Sequence, residues 1–465
     1  MLRLIRSARA RIAATALLAV AVPATGPAMA APCESPSAPV AVGTAQWNGW
    51  GRDPENSRYQ PEPALRAADV ARLAVKWAYG YAGTEEAGAP AVVDGRLFFG
   101  DAAGRVHALD ARLGCTYWVY DAGASVDTAV SVAELGASRT LPGQAAAKPP
   151  KSRKSKKHRG PNTDAHVEVV KAPSAVLFGD ATGTLHALDA AQGTLLWKVP
   201  AQALPGVPLV GTPLVHAYVV YVASSPAQGT GAVAALDTRT GRLLWSTPLD
   251  VRSGPTVDTE RQLLYVTTLA GVAALDLADG RLHWQKHLPQ ADLHHAPVLR
   301  RLAGAREILV VTAHAGDVLG LDPARAGEVI WETRVGGEQG DVRIDWAAAA
   351  DHRTVYVGSV GPGLTALDLS TGKLRWNTPV SRAPSHAVTA IPGALFSGSI
   401  DGHLRAYSTI AGKVVWDVDT ARQYNSVSDV AATGGAPGHG GVIIVRGLIY
   451  LNAGNALLAF SIDGK

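Results

Sequence analysis

Short stretches of the chain alternate apolar and polar positions, as in RLFFGDAAGRVHALD (Arg96 to Asp110) and LLYVTTLAGVAALD (Leu263 to Asp276), and no long stretch keeps a helical period. This pattern predicts short strands, each turning one face to a core, joined by tight turns. A frame punctuates the alternation, Ala-x-Asp-x-x-x-Gly-x-x-x-Trp, first at Ala108, Asp110, Gly114 and Trp118. It returns at Ala187 to Trp197, Ala235 to Trp245, Ala274 to Trp284 and Ala366 to Trp376, and more loosely at Gly320 to Trp331 and Ala406 to Trp416. In the looser copies one turn residue is added before Gly327, and Ser408 replaces the aspartate.

The two ends of the chain complete an eighth copy. LAVKW (Leu73 to Trp77) has only the last strand of a repeat, and LLAFSIDGK (Leu457 to Lys465) has only its front. Joining them closes a ring and removes the open sheet edges that a linear stack would expose. The expected fold is all-β, an eight-bladed β-propeller over 73–465, closed by the N- and C-terminal strands. Packing between sheets explains the frame: alanine lets the next sheet approach, glycine takes a turn conformation that a Cβ opposes, and tryptophan covers the seam. These tryptophans are read as structural.

Between successive frame tryptophans the intervals are 41, 79, 48, 39, 47, 45 and 40 residues, so the second holds an insertion, placed at about 136–166. Its centre, KPPKSRKSKKHRGPN, is too rich in lysine, serine and proline to bury a core and is expected to be disordered, with Lys148 to Arg159 free to touch an anionic surface. The formal charge of +4 divides by region: the first 31 residues carry four arginines, the run Lys148 to Arg159 seven cations, and the remainder is about −7. A basic nucleic-acid-binding surface is therefore not expected.

Arg3, Arg6, Arg9 and Arg11, the apolar run Ile12 to Val22 and a small-residue exit read as a secretory signal over 1–31. Export to the periplasm, or secretion, follows. Residues 32–72 form an N-terminal arm whose segment WNGWGRDPENSRYQP (Trp47 to Pro61) lacks strand alternation and is expected to lie across one face of the body. Cys33 and Cys115 are the two cysteines; in an oxidising compartment they could pair, and two free thiols are the alternative.

The chain resembles the quinoprotein dehydrogenase propellers, most closely the polyvinyl-alcohol-dehydrogenase-like proteins. The pieces that carry the resemblance are WNGWGRDPENSRYQP, GCTYW (Gly114 to Trp118), AVTAIPGALFSGSIDGHLRAY (Ala387 to Tyr407) and VVWDVDTAR (Val414 to Arg422). The resemblance implies pyrroloquinoline quinone on the axis, calcium beside it and an aspartate as the base for alcohol oxidation. Carried over position by position, Asp292 matches the catalytic aspartate, while Thr128 and Trp346 match cofactor contacts; His314 stands where a quinone-contacting lysine is expected.

Several departures count against that chemistry. Ser224-Ser225 occupies the place of adjacent cysteines, and Val251 to Ser253 the place of an aromatic platform. Thr268 to Gly271 runs on without the metal-ligand asparagine, and Asp127 replaces a basic residue. No haem-binding CxxCH is present. A metal site is not expected: His294 and His295 are adjacent and point apart, and neither His386 nor His403 has ligand spacing. The loop from Gly434 to Gly441 does not follow a strand-to-helix pattern and is not read as a phosphate cradle.

Three functions remain open. The expected one is a catalytically diverged propeller, without bound cofactor, that binds a protein or polymer ligand on its face. The alternatives are an active quinone- and calcium-dependent alcohol dehydrogenase with an external electron acceptor, and a partner-binding propeller similar to the outer-membrane assembly lipoprotein.

Overall fold

The computed structural model describes residues 32–33, 38–43, 46–83, 87–135, 173–204, 209–225, 230–288, 292–302, 304, 306–336, 342–361, 363–380, 384 and 386–465. The signal read over 1–31 and the basic insertion read at 136–166 lie outside the described residues. Among the described residues, eight four-stranded antiparallel sheets form the blades of a propeller. Their inner strands are Ala91–Val93, Ser131–Glu134, Leu209–His216, Thr256–Asp258, Val298–Arg301, Ala349–Ala350, Thr389–Ile391 and Ile443–Val445, numbered here as blades 1 to 8. Blade 8 takes three strands from the C-terminus and its outer strand, Leu73–Gly80, from the N-terminal side.

Register shows what the frame does. Its alanine lies opposite its tryptophan in the ladder: Ala108 opposite Trp118, Ala187 opposite Trp197, Ala366 opposite Trp376. Ala459 lies opposite Trp77 in the same way, so the two chain ends build one ordinary blade. The indole N–H then crosses the seam. Trp118 donates to the Ala190 carbonyl of blade 2, Trp331 to Leu369 of blade 6, and Trp416 to Leu73 of blade 8, which closes the ring.

The frame glycine is required twice over. At Gly193 φ is +71°, and an added Cβ would stand 2.5 Å from the ring of Trp118 in the preceding blade. Trp284 is the exception among the frame tryptophans, because its buried N–H has no partner among the described residues. The turn it faces is the looser copy, a 3-10 turn begun by Pro323.

The core is divided among the seams. Phe98, Val106, Ala108 and Trp118 of blade 1, for example, pack with Val132, Val176, Phe178 and Leu188 of blade 2. Paired Asp and His side chains pin two hairpins: Asp101 to His107 and Asp180 to His186, each at 2.8 Å and buried.

The arm does not lie across a face. It begins at a Cys33–Cys115 disulfide on blade 1 and then threads the axis itself. Trp47 exchanges backbone hydrogen bonds with Val92, and the Asn48 carboxamide does the same with the backbone of Val132. The carbonyls of Pro54, Glu55, Ser57 and Arg58 accept from the amides of Val257, Leu299, Ala350 and Ala390, and Gln60 donates to the Ile444 carbonyl. Every one of these partners is at the same level of its inner strand. The irregular segment thus forms a ring of pairing that blocks the axial hole and satisfies strand edges that would otherwise face it. Face-on placement was expected because the segment has no period; its lack of period instead suits a path that turns to a new blade every one or two residues from Trp47 to Asn48 and again from Pro54 to Gln60, with blade 3 passed over between them.

Arg58 fastens the far end of the ring. It is fully buried between the rings of Trp47 and Trp50. Its guanidinium donates to the carbonyls of Val388, Trp50 and Gly440 and to the Thr389 hydroxyl, at 2.8 to 2.9 Å. Burial pushes this guanidinium down to about 9.

Candidate functional site

Above the arm, on the side where the chain enters the inner strands, the axis opens into a cavity of about 650 Å³. That size lies within the range of small-molecule sites, roughly 300–1,000 Å³. The arm from Gly49 to Asn56 is its floor. Its walls are the segments leading into the inner strands: Asp127 to Ala129 for blade 2, Ser253 to Pro255 for blade 4, His294 to Ala296 for blade 5, and His439-Gly440 for blade 8. Blade 3 contributes the strand itself, Val210 to Val215. Leu269 is exposed and His314 half-buried, and neither fills the axis.

The residues singled out in the sequence are gathered at this end but not on one surface. Thr128 lines the cavity, with its hydroxyl turned to the Gly179 carbonyl at 3.3 Å. Trp346 stands one ring behind the wall: it stacks on His439, centroids 4.4 Å apart, and donates to the Pro384 carbonyl. Asp292 and His314 are at the mouth, outside the wall. Asp292 pairs with Nε2 of His294 at 2.7 Å, and His314 faces Asp345 at 3.5 Å, with Arg343 on the other side of that carboxylate. The rings of His294 and His314 meet edge to face at 6.2 Å, which joins the two Asp–His pairs into one polar cluster.

His295 turns away from its neighbour toward the Thr312 hydroxyl, and burial lowers its pKa below the ordinary imidazole value. Behind the wall, His386 is completely buried and pushed down to about 4 by desolvation. His439 and the arm residues of the floor were not legible as site residues. His439 sits in the glycine-rich loop, where no periodic signal marks a residue that reaches the axis.

The wall can be compared with what a planar tricarboxylate quinone and calcium require. Volume is no obstacle. Cationic partners are: Arg52 lies in the floor but is tied to Asp53 at 3.1 Å, and Asp127 adds a negative charge. A calcium ion takes six to eight oxygen ligands, and among the described residues no three His, Cys, Asp or Glu side chains converge as a metal-binding group. Val251, in the place of the aromatic platform, is buried between blades 3 and 4. The Ser224 hydroxyl is engaged by the Ala232 backbone, and Thr268 pairs with Gly271 around the two-residue turn Leu269-Ala270, whose side chains carry no oxygen. For a quinone and its metal, this lining offers one guanidinium that is already paired and, among the described residues, no group of three His, Cys, Asp or Glu side chains.

A closed ring of eight such sheets, with the frame at each seam and a cavity at one end of the axis, defines the class of β-propellers built on the quinoprotein-type repeat. The family model described as "Outer membrane protein assembly factor BamB" matches residues 147–291, 181–348, 229–399 and 324–464. A polyvinylalcohol dehydrogenase from Pseudomonas sp is 32% identical, over 93% of this chain and 80% of that protein. The chain belongs to the polyvinyl alcohol dehydrogenase family of quinoprotein-type propellers. Among solved structures, the quinohemoprotein alcohol dehydrogenase of Comamonas testosteroni superposes with a TM-score of 0.65 at 16% identity, covering 91% of this chain and 81% of that one. BamB from Moraxella catarrhalis does so at 0.57 and 14%, covering 84% and 99%. At those identities the two structures speak for the fold alone.

Proposed function

We propose that this chain is a member of the polyvinyl alcohol dehydrogenase family that binds a ligand in its axial cavity without oxidising it through a quinone. The wall chemistry carries this reading. The guanidinium that could meet a carboxylate is already paired, a further carboxylate stands at Asp127, and among the described residues no three His, Cys, Asp or Glu side chains converge. The stacked Trp346–His439 pair and the Asp–His cluster at the mouth offer a flat face and hydrogen-bonding groups, which suits recognition. Asp292 belongs here to the mouth, as the partner of His294.

Family membership favours a second reading, an active dehydrogenase using pyrroloquinoline quinone, calcium and an external acceptor, with Asp292 as base. The test is reconstitution: purified protein with quinone, calcium, polyvinyl alcohol or a secondary alcohol, and a dye acceptor. Dye reduction no faster than in the protein-free control is expected. Turnover that Asp292→Asn abolishes would establish the dehydrogenase instead. The disulfide supports export to an oxidising compartment, and detection of a shortened form in the periplasm or medium would test it.

A further inference from the structure

Blade 3 differs from the other seven in one respect. In blade 1 the ring-level residue Val92 lies opposite Leu97, which lies opposite Leu109, the residue before the frame aspartate. The same partners in blade 3 run from Leu236 through Val220 to Val215. Val215 is therefore the counterpart of Val92, Val132, Val257, Leu299, Ala350, Ala390 and Ile444, all of which pair with the arm. The arm passes from Asn48 on blade 2 to Pro54 on blade 4, and between them Gly49 to Asp53 bows away as cavity floor. Among the described residues, nothing pairs with the inward N–H and C=O of Val215. The strand that bears it is half-buried along most of its length, whereas the inner strands of blades 1, 4, 6, 7 and 8 are buried throughout.

We infer that this open edge, centred on Val215, is where the cavity holds its ligand, and that the ligand is an extended, basic peptide segment. The inference rests on the axial cavity being a binding site. The class of ligand follows from continuity: all seven counterparts are met by amides, mostly backbone and twice the side-chain carboxamides of Asn48 and Gln60. A strand laid beside Val215 completes the ring in the manner of β-strand addition. Pro213 has no N–H and its carbonyl accepts from the Ser131 hydroxyl, so the pairing is confined to the Val215 end. Charge selects the sign. Asp127, Asp292 and Asp345 at the wall and mouth outnumber Arg343, while Arg52 and Asp53 cancel.

The test uses a pool of blocked heptapeptides with one fixed lysine, alongside the same pool N-methylated at alternate residues. Hydrogen exchange locates the contact and fluorescence anisotropy of labelled pools measures binding. The lysine pool should slow exchange of the 209–216 segment by at least about threefold near saturation, and the N-methylated pool should not. Val215→Pro removes an N–H outside the ladder, a substitution that edge strands accept, and exchanges a half-buried apolar side chain at the seam of blades 2 and 3 for another of similar size. It should keep the melting temperature and lose at least about tenfold in affinity. Equal protection by the N-methylated pool, binding retained by a folded Val215→Pro, or no protection of 209–216 would each overturn the assignment. Quinone binding in the cavity would instead refute the reading on which it rests, so the two failures are distinguishable.

Discussion

Arg58→Met should unfasten the arm from blades 7 and 8. The side chain makes four hydrogen bonds in a fully buried position, to Val388, Trp50, Thr389 and Gly440. Bonds from a charged donor contribute about 1.5–3 kcal/mol each, so their loss alone amounts to roughly 6 kcal/mol or more. Part of that is returned, because the wild-type protein holds a cation in a site with no facing carboxylate, a cost that methionine does not bear. A net loss of about 3–5 kcal/mol is expected. Urea unfolding gives the total, and hydrogen exchange gives the place: the Ala390 amide, bonded to the Arg58 carbonyl, should lose protection. Arg58→Lys should recover little, since an ammonium cannot span the same acceptors. A variant within about 1 kcal/mol of wild type with Ala390 still protected would refute the idea that the arm is a fastened axial plug.

Removing the disulfide by Cys33→Ser with Cys115→Ser releases a loop of 82 residues; chain-entropy arguments put the loss at about 4 kcal/mol, measured as the drop in unfolding free energy. Gly193→Ala should cost about 2–4 kcal/mol, from left-handed strain plus collision with Trp118. Gly123→Ala, with φ +81° but open space around it, should cost only about 1 kcal/mol. Asp401 is held down to about 2: desolvation pushes it up, but hydrogen bonds from Arg405 and Ser399 prevail. A depressed folded-state pKa contributes stability that is present above the ordinary carboxylate range and lost as pH falls through about 2. Asp401→Asn should therefore be less stable than wild type at pH 7, with the gap closing between about pH 4 and 2 in urea titrations at each pH.

Blade number and ring closure were legible because they depend on local chemistry repeated in sequence. A glycine at the seam turn and a tryptophan four residues later are fixed by the same collision in blade after blade, and the half-repeats at the two ends can be matched by eye. The arm was legible as a segment but not as a path. Its bonds are made largely by backbone groups that any residue carries, so WNGWGRDPENSRYQP does not say whether it crosses a face or fills the axis. The site was legible in part. Thr128 and Trp346 fall at or just behind the wall, while Asp292 and His314 fall at the mouth, paired with His294 and Asp345. Losses such as the aromatic platform could be read directly, because Val251 has no ring to offer. His439 and Val215 could not: one sits in a glycine-rich loop without period, and the other looks like any alternating strand residue until the arm is seen to pass it by.

The central claim is that the axial cavity has the size but not the donors for a quinone with its metal. Calorimetric titration of the purified protein with pyrroloquinoline quinone in calcium, and again in excess chelator, tests it most directly. The wall chemistry predicts no saturable heat in the micromolar range and no difference between the two titrations. One-to-one micromolar binding that calcium strengthens and chelator abolishes would contradict it.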